Sequence, residues 1–146
     1  MKKLIIISFF AIPVMFLVMG LKEDSRGKYL LPRTIIQQSN SAGLKVFKKY
    51  CISCHQADAG GVPHLNPPLI KTVYVLGDKE RLIKIVLNGL NENIEIEGET
   101  FSNPMPPLKI LKDQQIADVL SYVRSNFGNK APAITAAEVK AVRSKK

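Results

Sequence analysis

The residues best suited to do chemistry in this chain form one short run, Cys51-Ile52-Ser53-Cys54-His55. Two thiols separated by two residues can each add across one vinyl group of a porphyrin, which gives two thioether bonds from a single turn of backbone. A histidine directly after the second cysteine is then placed to ligate the iron through an imidazole nitrogen. The pattern C-x-x-C-H is therefore typical of covalent c-type haem attachment. It predicts one haem c, held by Cys51 and Cys54, with His55 as an axial ligand.

Three other uses of these residues explain the pattern less well. A disulfide between Cys51 and Cys54 would close a very small loop and would add little stability through chain entropy. A thioredoxin-like redox pair needs a βαβ context, and the sequence shows none. A zinc site needs four ligands, which could be the two cysteines with His55 and His64. Because His55 adjoins Cys54, simultaneous ligation of one tetrahedral ion by both is awkward.

A second axial ligand is expected if the haem carries electrons, and methionine in that position raises the potential. The methionines are Met1, Met15, Met19 and Met105. Met105 is the one that lies beyond the N-terminal apolar run, and it stands between Pro104 and Pro106 in a stiffened loop. The alternative ligand is His64, nine residues after His55, and Met105 could also be a buried loop residue. Two protein ligands would favour an electron carrier over a haem sensor or peroxidase with a labile sixth ligand.

The N-terminus has the pattern of an export segment. Lys2 and Lys3 precede an apolar run from Leu4 to Leu21, and a positive region before a hydrophobic one is typical of a signal peptide. The run is long for a signal and short for a membrane span, so residues 1–21 are predicted to be either a cleaved signal peptide or a membrane anchor. Both place the rest of the chain in the periplasm, soluble or tethered to the inner membrane through residues 4–21.

Composition limits the number of domains and the kinds of partner. The chain has 146 residues and a formal charge of +9. The polar segment 22–40 is expected to be a linker or arm, which leaves 41–146 for one small domain. Nucleic acid is excluded as a partner behind an export segment. The basic balance is consistent with an acidic redox partner, or with ordinary solvated surface charge.

Hydrophobic periodicity and capping residues predict mainly short helices. The predicted elements are a helix capped by Ser41 and ending near Tyr50, a loop over 51–69, a helix after Asp78 ended by Gly89, a hairpin around Ile94, Ile96 and Gly98, an irregular segment over 103–107, a helix from Asp113 to about Asn126, and a short final helix beginning at Thr135.

These motifs together resemble the class I c-type cytochromes, and closely the small bacterial mono-haem domains associated with periplasmic dehydrogenases and nitrite reductases. Gly43-x-x-x-Phe47 before the haem motif looks like the family's first helix, and Val119-x-x-Tyr122 like its last. Pro67-Pro68-Leu69 looks like the family's P-x-L segment. Further stretches with close counterparts are G-D-K-E-R-L-I-K-I-V-L-N-G-L, I-E-I-E-G-E-T-F, N-P-M-P-P and I-A-D-V-L-S-Y-V-R-S-N-F-G-N.

The resemblance implies an all-α cytochrome c fold, with three to five helices wrapped around one covalent haem and a short hairpin before the distal methionine loop. It implies that Met105 is the distal iron ligand. It also implies that the Pro67 carbonyl accepts the proton on the second ring nitrogen of His55, which fixes the tautomer. The expected function is electron transfer between redox partner proteins, by a carrier that is not itself an enzyme. The alternative is a dedicated electron-relay subunit of a periplasmic oxidoreductase complex.

Overall fold

The structure, a computed structural model, describes residues 40–145. The predicted signal or anchor over 1–21, and the predicted linker except for its last residue, lie outside the described residues. Within 40–145 the elements are α1 (residues 40–50), α2 (Ile52–His55), α3 (Val73–Leu76), α4 (Lys79–Asn88), β1 (Ile94–Ile96), β2 (Glu99–Phe101), α5 (Asp113–Ser125) and α6 (Ala136–Ser144). The predicted all-α class and the single hairpin are confirmed.

Helix α4 follows its sequence signals closely. The carboxylate of Asp78 caps the first turn by accepting the N–H of Arg81 at 2.7 Å, which satisfies one of the unpaired donors at a helix start. Gly89 ends the helix with φ 76°, a conformation that residues with a Cβ rarely adopt. The predicted apolar face is buried and consists of Leu82, Ile83, Val86 and Leu87.

Helices α1 and α5, which contain the two motifs of the family resemblance, cross at Gly43. A Cβ built on Gly43 would overlap the carbonyl oxygen of Asp118 and lie 2.5 Å from the Cβ of Tyr122, so the two backbones approach too closely for any other residue. Phe47 packs beside this crossing with its ring 5.8 Å from that of Tyr122 and 5.3 Å from that of Phe127. This aromatic cluster fixes the end of α1 that leads into Cys51.

Two local predictions need correction. Helix α1 is already formed at residue 40, so Ser41 lies inside the helix and is not its N-cap. Ser41 is a good capping type, which is why the sequence pattern placed the start of the helix there. The segment 51–69, predicted as loop, begins with the single helical turn of α2, which is too short to show a hydrophobic period.

The hairpin and the final helix complete the domain. Strands β1 and β2 pair antiparallel, with Ile94 opposite Phe101. Helix α6 begins after Thr135, as predicted, with a capping box in which the Thr135 and Glu138 side chains bond each other's backbone N–H groups. Helix α6 packs against both α4 and α5 and buries Val139. Among residues 40–145, none of the helices has the length and apolar character needed to span a bilayer.

Candidate functional site

An apolar cavity with a volume of about 200 Å³ brings the predicted site residues together. Its walls come from α2, α3, α4, α5, the hairpin and the loops between them. All five predicted residues line it: Cys51, Cys54, His55, Pro67 and Met105. Within the described part of the chain, Glu92 is the one acidic or basic side chain among the lining residues apart from His55. The cavity is therefore suited to a large, mainly apolar group.

Cys51 and Cys54 are presented to the cavity by one helical turn. The N–H of Cys51 still bonds to Phe47 O of α1 at 2.9 Å, and the N–H of His55 bonds to Cys51 O at 2.9 Å. Both thiols are free and half-buried, so they form no disulfide. Burial, followed by the nearby charge of Cys54, raises the pKa of Cys51 to about 11.

His55 is oriented by the backbone of Pro67. The ring nitrogen Nδ1 lies 2.9 Å from the Pro67 carbonyl oxygen. Since a carbonyl can only accept a hydrogen bond, Nδ1 carries the proton and donates it, which leaves Nε2 with a free lone pair. Burial lowers the pKa of His55, and the Pro67 bond opposes this in part. The imidazole is thus held neutral and ready to ligate a metal.

Gly61 allows Pro67 to reach this position. It has φ 71°, and a Cβ built on it would overlap the carbonyl oxygen of Asn66 and lie 2.7 Å from the carbonyl carbon of Pro67. The N–H of Gly61 bonds back to His55 O at 3.0 Å, and Val62 and Asn66 exchange backbone bonds of 2.8 and 2.9 Å. The sequence identified Gly61 only as a loop residue, because its contact lies with a segment five residues later.

Met105 lines the same cavity from the predicted proline loop. It is half-buried against the core. The segment 103–107 is irregular, as predicted, apart from an isolated antiparallel bridge between Met105 and Leu90. Their backbones exchange two hydrogen bonds, from Leu90 N–H to Met105 O at 3.0 Å and from Met105 N–H to Leu90 O at 2.8 Å. These two hydrogen bonds hold the loop against the residue that follows α4 and Gly89.

Asn66 and Asn103 connect the segment that contains Pro67 to the loop that contains Met105. The Asn103 amide Nδ2 donates to Asn66 Oδ1 at 2.8 Å, and the N–H of Asn103 donates to Leu65 O at 3.0 Å. Both side chains line the cavity. Sequence reasoning missed this pair, since nothing in the local pattern indicates that positions 37 residues apart are in contact.

His64, the alternative ligand, does not line the cavity. Its side chain is 80% exposed, and its Nδ1 lies 3.4 Å from a carboxylate oxygen of Glu99. Among the described residues no group of three or more His, Cys, Asp or Glu side chains could hold a metal ion. The zinc set considered from the sequence, with His64 as its fourth member, is therefore not assembled.

Comparison with known proteins decides the family. The cytochrome c family model matches residues 41–127. The chain belongs to the cytochrome c family. It is 34% identical over 113 residues to "Cytochrome c-552" of Thermus thermophilus, a match that covers 71% of this chain and 86% of that protein.

Relatives of a second kind are longer. The chain is 34% identical over 128 residues to "Alcohol dehydrogenase (quinone), cytochrome c subunit" of Gluconacetobacter polyoxogenes, covering 82% of this chain and 27% of that subunit. It is 33% identical over 107 residues to "Fructose dehydrogenase cytochrome subunit" of Gluconobacter japonicus, covering 70% and 22%. As a cytochrome c, this protein carries one covalent haem c and is an electron carrier that exchanges electrons with redox partners.

The donor set in the cavity suits that group. One mostly apolar cavity is lined by two free thiols with two residues between them, by an imidazole with one unprotonated nitrogen and by a thioether sulfur. A covalent haem needs two thiols, and an electron-transfer haem of this kind takes histidine and methionine as iron ligands.

Proposed function

We propose that this domain transfers electrons through a haem bonded covalently to Cys51 and Cys54, with His55 and Met105 as the axial ligands of the iron and Pro67 holding His55. The observation that carries the proposal is that these five residues line a single apolar cavity, although Cys51 and Met105 are 54 positions apart in the sequence. The cytochrome domain is proposed to occupy residues 41–146, after an export segment over 1–21 and a linker over 22–40.

When bound, the haem supplies an iron that can take up and release one electron. The chain's own residues create the conditions for this transfer. The Pro67 carbonyl keeps the proton on Nδ1 of His55, so that Nε2 remains available to the iron. The neutral thioether of Met105 favours the reduced state and raises the potential. The apolar walls, supplied by residues such as Val86 and Leu120, exclude water and limit reorganisation around the changing charge.

The test is a set of optical spectra of the purified holoprotein and of its Met105→Ala variant. A pyridine haemochrome assay should show one covalent haem in both. We expect the variant to lose the weak far-red sulfur-to-iron absorption of the ferric form, to bind carbon monoxide in the ferrous form and to have a lower midpoint potential.

His64→Ala is the matched control, because it removes the other possible ligand from an exposed position. It should leave all three properties unchanged. A Met105→Ala variant with the wild-type spectrum and potential would refute Met105 as a ligand, and a protein without covalent haem after expression with the maturation machinery would refute the attachment residues.

We also propose that the partners are redox proteins reached outside the cytoplasm, and that basic surface groups favour an acidic partner. The support is the export-type N-terminus, the formal charge of +9 and the exposed lysines Lys45, Lys48 and Lys49 on α1. The mass of the purified protein will show whether the chain is cleaved after Gly20 or keeps its N-terminal segment as an anchor.

The charge proposal is tested by the salt dependence of electron transfer to an acidic partner. Electron-transfer rates that fail to decrease with salt would contradict it.

The second candidate is a dedicated relay subunit of an oxidoreductase complex. It is favoured by the dehydrogenase cytochrome subunits, one of which aligns with 82% of this chain. Purification of the native protein separates the two. A relay subunit co-purifies with a dehydrogenase in fixed stoichiometry, whereas a carrier is recovered alone.

A further inference from the structure

We infer that Gly89, at the C-terminal end of α4, is the positioning residue that lets the Met105 loop approach the haem iron. The inference deepens the proposed function and rests on its assignment of Met105 as a ligand. It follows from three features of the junction between α4 and the loop: the conformation of Gly89, the space around it, and the hydrogen bonds on either side.

The first feature is the backbone of Gly89, which has φ 76° and ψ −179°. This region is accessible essentially only to glycine. It lets the chain leave α4 abruptly, so that Leu90 runs antiparallel to Met105 and not onward along the helix axis.

The second feature is the absence of space for a side chain. A Cβ built on Gly89 would overlap the carbonyl oxygen of Met105, and it would lie 3.0 Å from the nitrogen of Pro107 and 3.2 Å from the carbonyl carbon of Pro106. All three atoms belong to the backbone of the loop, so no side chain can rotate away. Any other residue would push the loop itself.

The third feature is the small number of backbone N–H groups through which the loop can form hydrogen bonds. Prolines lack an N–H group, so between Pro104 and Leu108 only Met105 and Leu108 can donate a backbone hydrogen bond. Both donate to the C-terminal end of α4 and the residue that follows Gly89. Met105 bonds to Leu90 O at 2.8 Å, and Leu108 bonds to Val86 O at 2.9 Å. A displacement of Gly89 should therefore move the Met105 loop with it.

Displacement of this loop matters because an iron–sulfur bond tolerates little change in length. The Met105 side chain begins at the same residue whose carbonyl a Cβ on Gly89 would strike. An alanine at position 89 should consequently shift the equilibrium from ligated towards unligated sulfur, while Cys51, Cys54 and His55 stay in place, because the atoms nearest to the added Cβ belong to Met105, Pro106 and Pro107.

The experiment compares Gly89→Ala with Gly98→Ala in the full holoprotein. Gly98 also has positive φ, 83°, but a Cβ there has nothing within 4 Å, so its replacement adds backbone strain without a collision. At equal covalent haem content, we expect Gly89→Ala to weaken the far-red sulfur-to-iron band and to raise the apparent affinity of the ferrous form for carbon monoxide by about tenfold or more, since that affinity scales with the unligated fraction. Gly98→Ala should match the wild type in both.

Several outcomes would overturn the inference. One is a Gly89→Ala protein whose band and carbon monoxide affinity equal those of Gly98→Ala. Gly89→Asn is the second variant, because asparagine accepts positive φ more readily than alanine does while keeping the Cβ. If neither Gly89 variant gives folded holoprotein by far-ultraviolet circular dichroism, the glycine serves folding and not the ligand, and the inference is also wrong. If Met105→Ala itself changes nothing, the proposed function fails independently of Gly89.

Discussion

At the scale of single residues, one buried amide holds the segment that follows Pro67. Asn129 is 3% exposed, and its side chain makes three hydrogen bonds. Its Oδ1 accepts the N–H of Lys71 at 2.7 Å, and its Nδ2 donates to Leu69 O at 2.9 Å and to Val123 O at 2.8 Å. Leu69 lines the cavity, so Asn129 connects helix α5 to the wall beside the His55–Pro67 bond.

We expect Asn129→Ala to lower the free energy of unfolding by about 1–3 kcal/mol, because it leaves buried polar groups without partners. Chemical denaturation of the oxidised holoprotein measures this. Asn91→Ala, at an exposed position, is the control and should change stability by less than about 0.5 kcal/mol. Equal effects of the two substitutions would show that the three hydrogen bonds contribute nothing specific.

The candidate attachment residues and ligands could be selected from the sequence, whereas the residues that bring them into one cavity could not. Cys51, Cys54, His55 and Met105 are identified by type and spacing, which the sequence contains in full. Gly89 and the Asn66–Asn103 pair depend on which distant segment lies against them, and that is a property of the folded chain. A glycine at a helix end predicts a turn but does not reveal that the Met105 loop packs there.

At the scale of elements, sequence signals were sufficient where an element was long enough to have a period. Helices α4, α5 and α6 were predicted to within about a residue, because each has a buried face and because Asp78 and Thr135 cap the starts of α4 and α6. Helices α2 and α3 have four residues each. That is too few for a repeat of apolar residues to show in the sequence which face is buried. Local backbone and capping bonds with neighbouring residues hold these two helices: the N–H of Cys51 bonds to Phe47 O at the end of α1, and the Thr72 hydroxyl accepts the N–H of Val75 at the start of α3.

Ion pairs connect α4 to the C-terminal helix α6 and the residue after it. Lys79 Nζ lies 2.9 Å from a carboxylate oxygen of Glu138, and Glu80 accepts from both Lys84 and Lys145 at 2.7 Å. The hydrogen bond from Lys145, followed by the one from Lys84, lowers the pKa of Glu80 from 4.5 to about 2. The Lys79 bond also lowers the pKa of Glu138.

A carboxylate whose pKa is lower in the folded state stabilises that state at pH values above its unfolded-state pKa. This contribution disappears as the pH falls through the folded-state pKa. We therefore expect the holoprotein to lose stability as the pH falls from about 4.5 towards about 2, with a smaller loss in Glu80→Gln. Thermal unfolding at a series of pH values measures it. The same series in high salt should show a reduced difference between the two proteins, because the Glu80 pairs are exposed and screened.

Glu97→Gln removes the same charge from the exposed hairpin turn and is the control for that series. It should keep the acid-dependent loss of the wild type. If Glu80→Gln and Glu97→Gln behaved alike, the effect would come from net charge and not from the connection between α4 and the end of the chain.

At the scale of the whole molecule, the hydrophobic core and the cavity share a wall. Residues that are both buried in the core and part of the cavity lining are Val75, Leu82, Val86, Val119, Leu120 and Val123. They come from α3, α4 and α5, so these three helices are packed around the cavity as much as against one another. The fold and the haem site are thus one structure, which explains why the family resemblance predicted both together.

This shared wall makes the folded state dependent on the haem. Burial of one large aliphatic side chain contributes about 1.5–3 kcal/mol, and domains of this size are stable by only about 5–15 kcal/mol. We expect a Cys51→Ser/Cys54→Ser protein, which cannot retain covalent haem, to keep helical far-ultraviolet circular dichroism, to lose cooperative melting and near-ultraviolet signal, and to bind a hydrophobic dye. Ser53→Ala, within the same motif, should keep its haem and melt like the wild type. A haem-free double variant that melted cooperatively near the wild-type temperature would show that the protein core is sufficient without its cofactor.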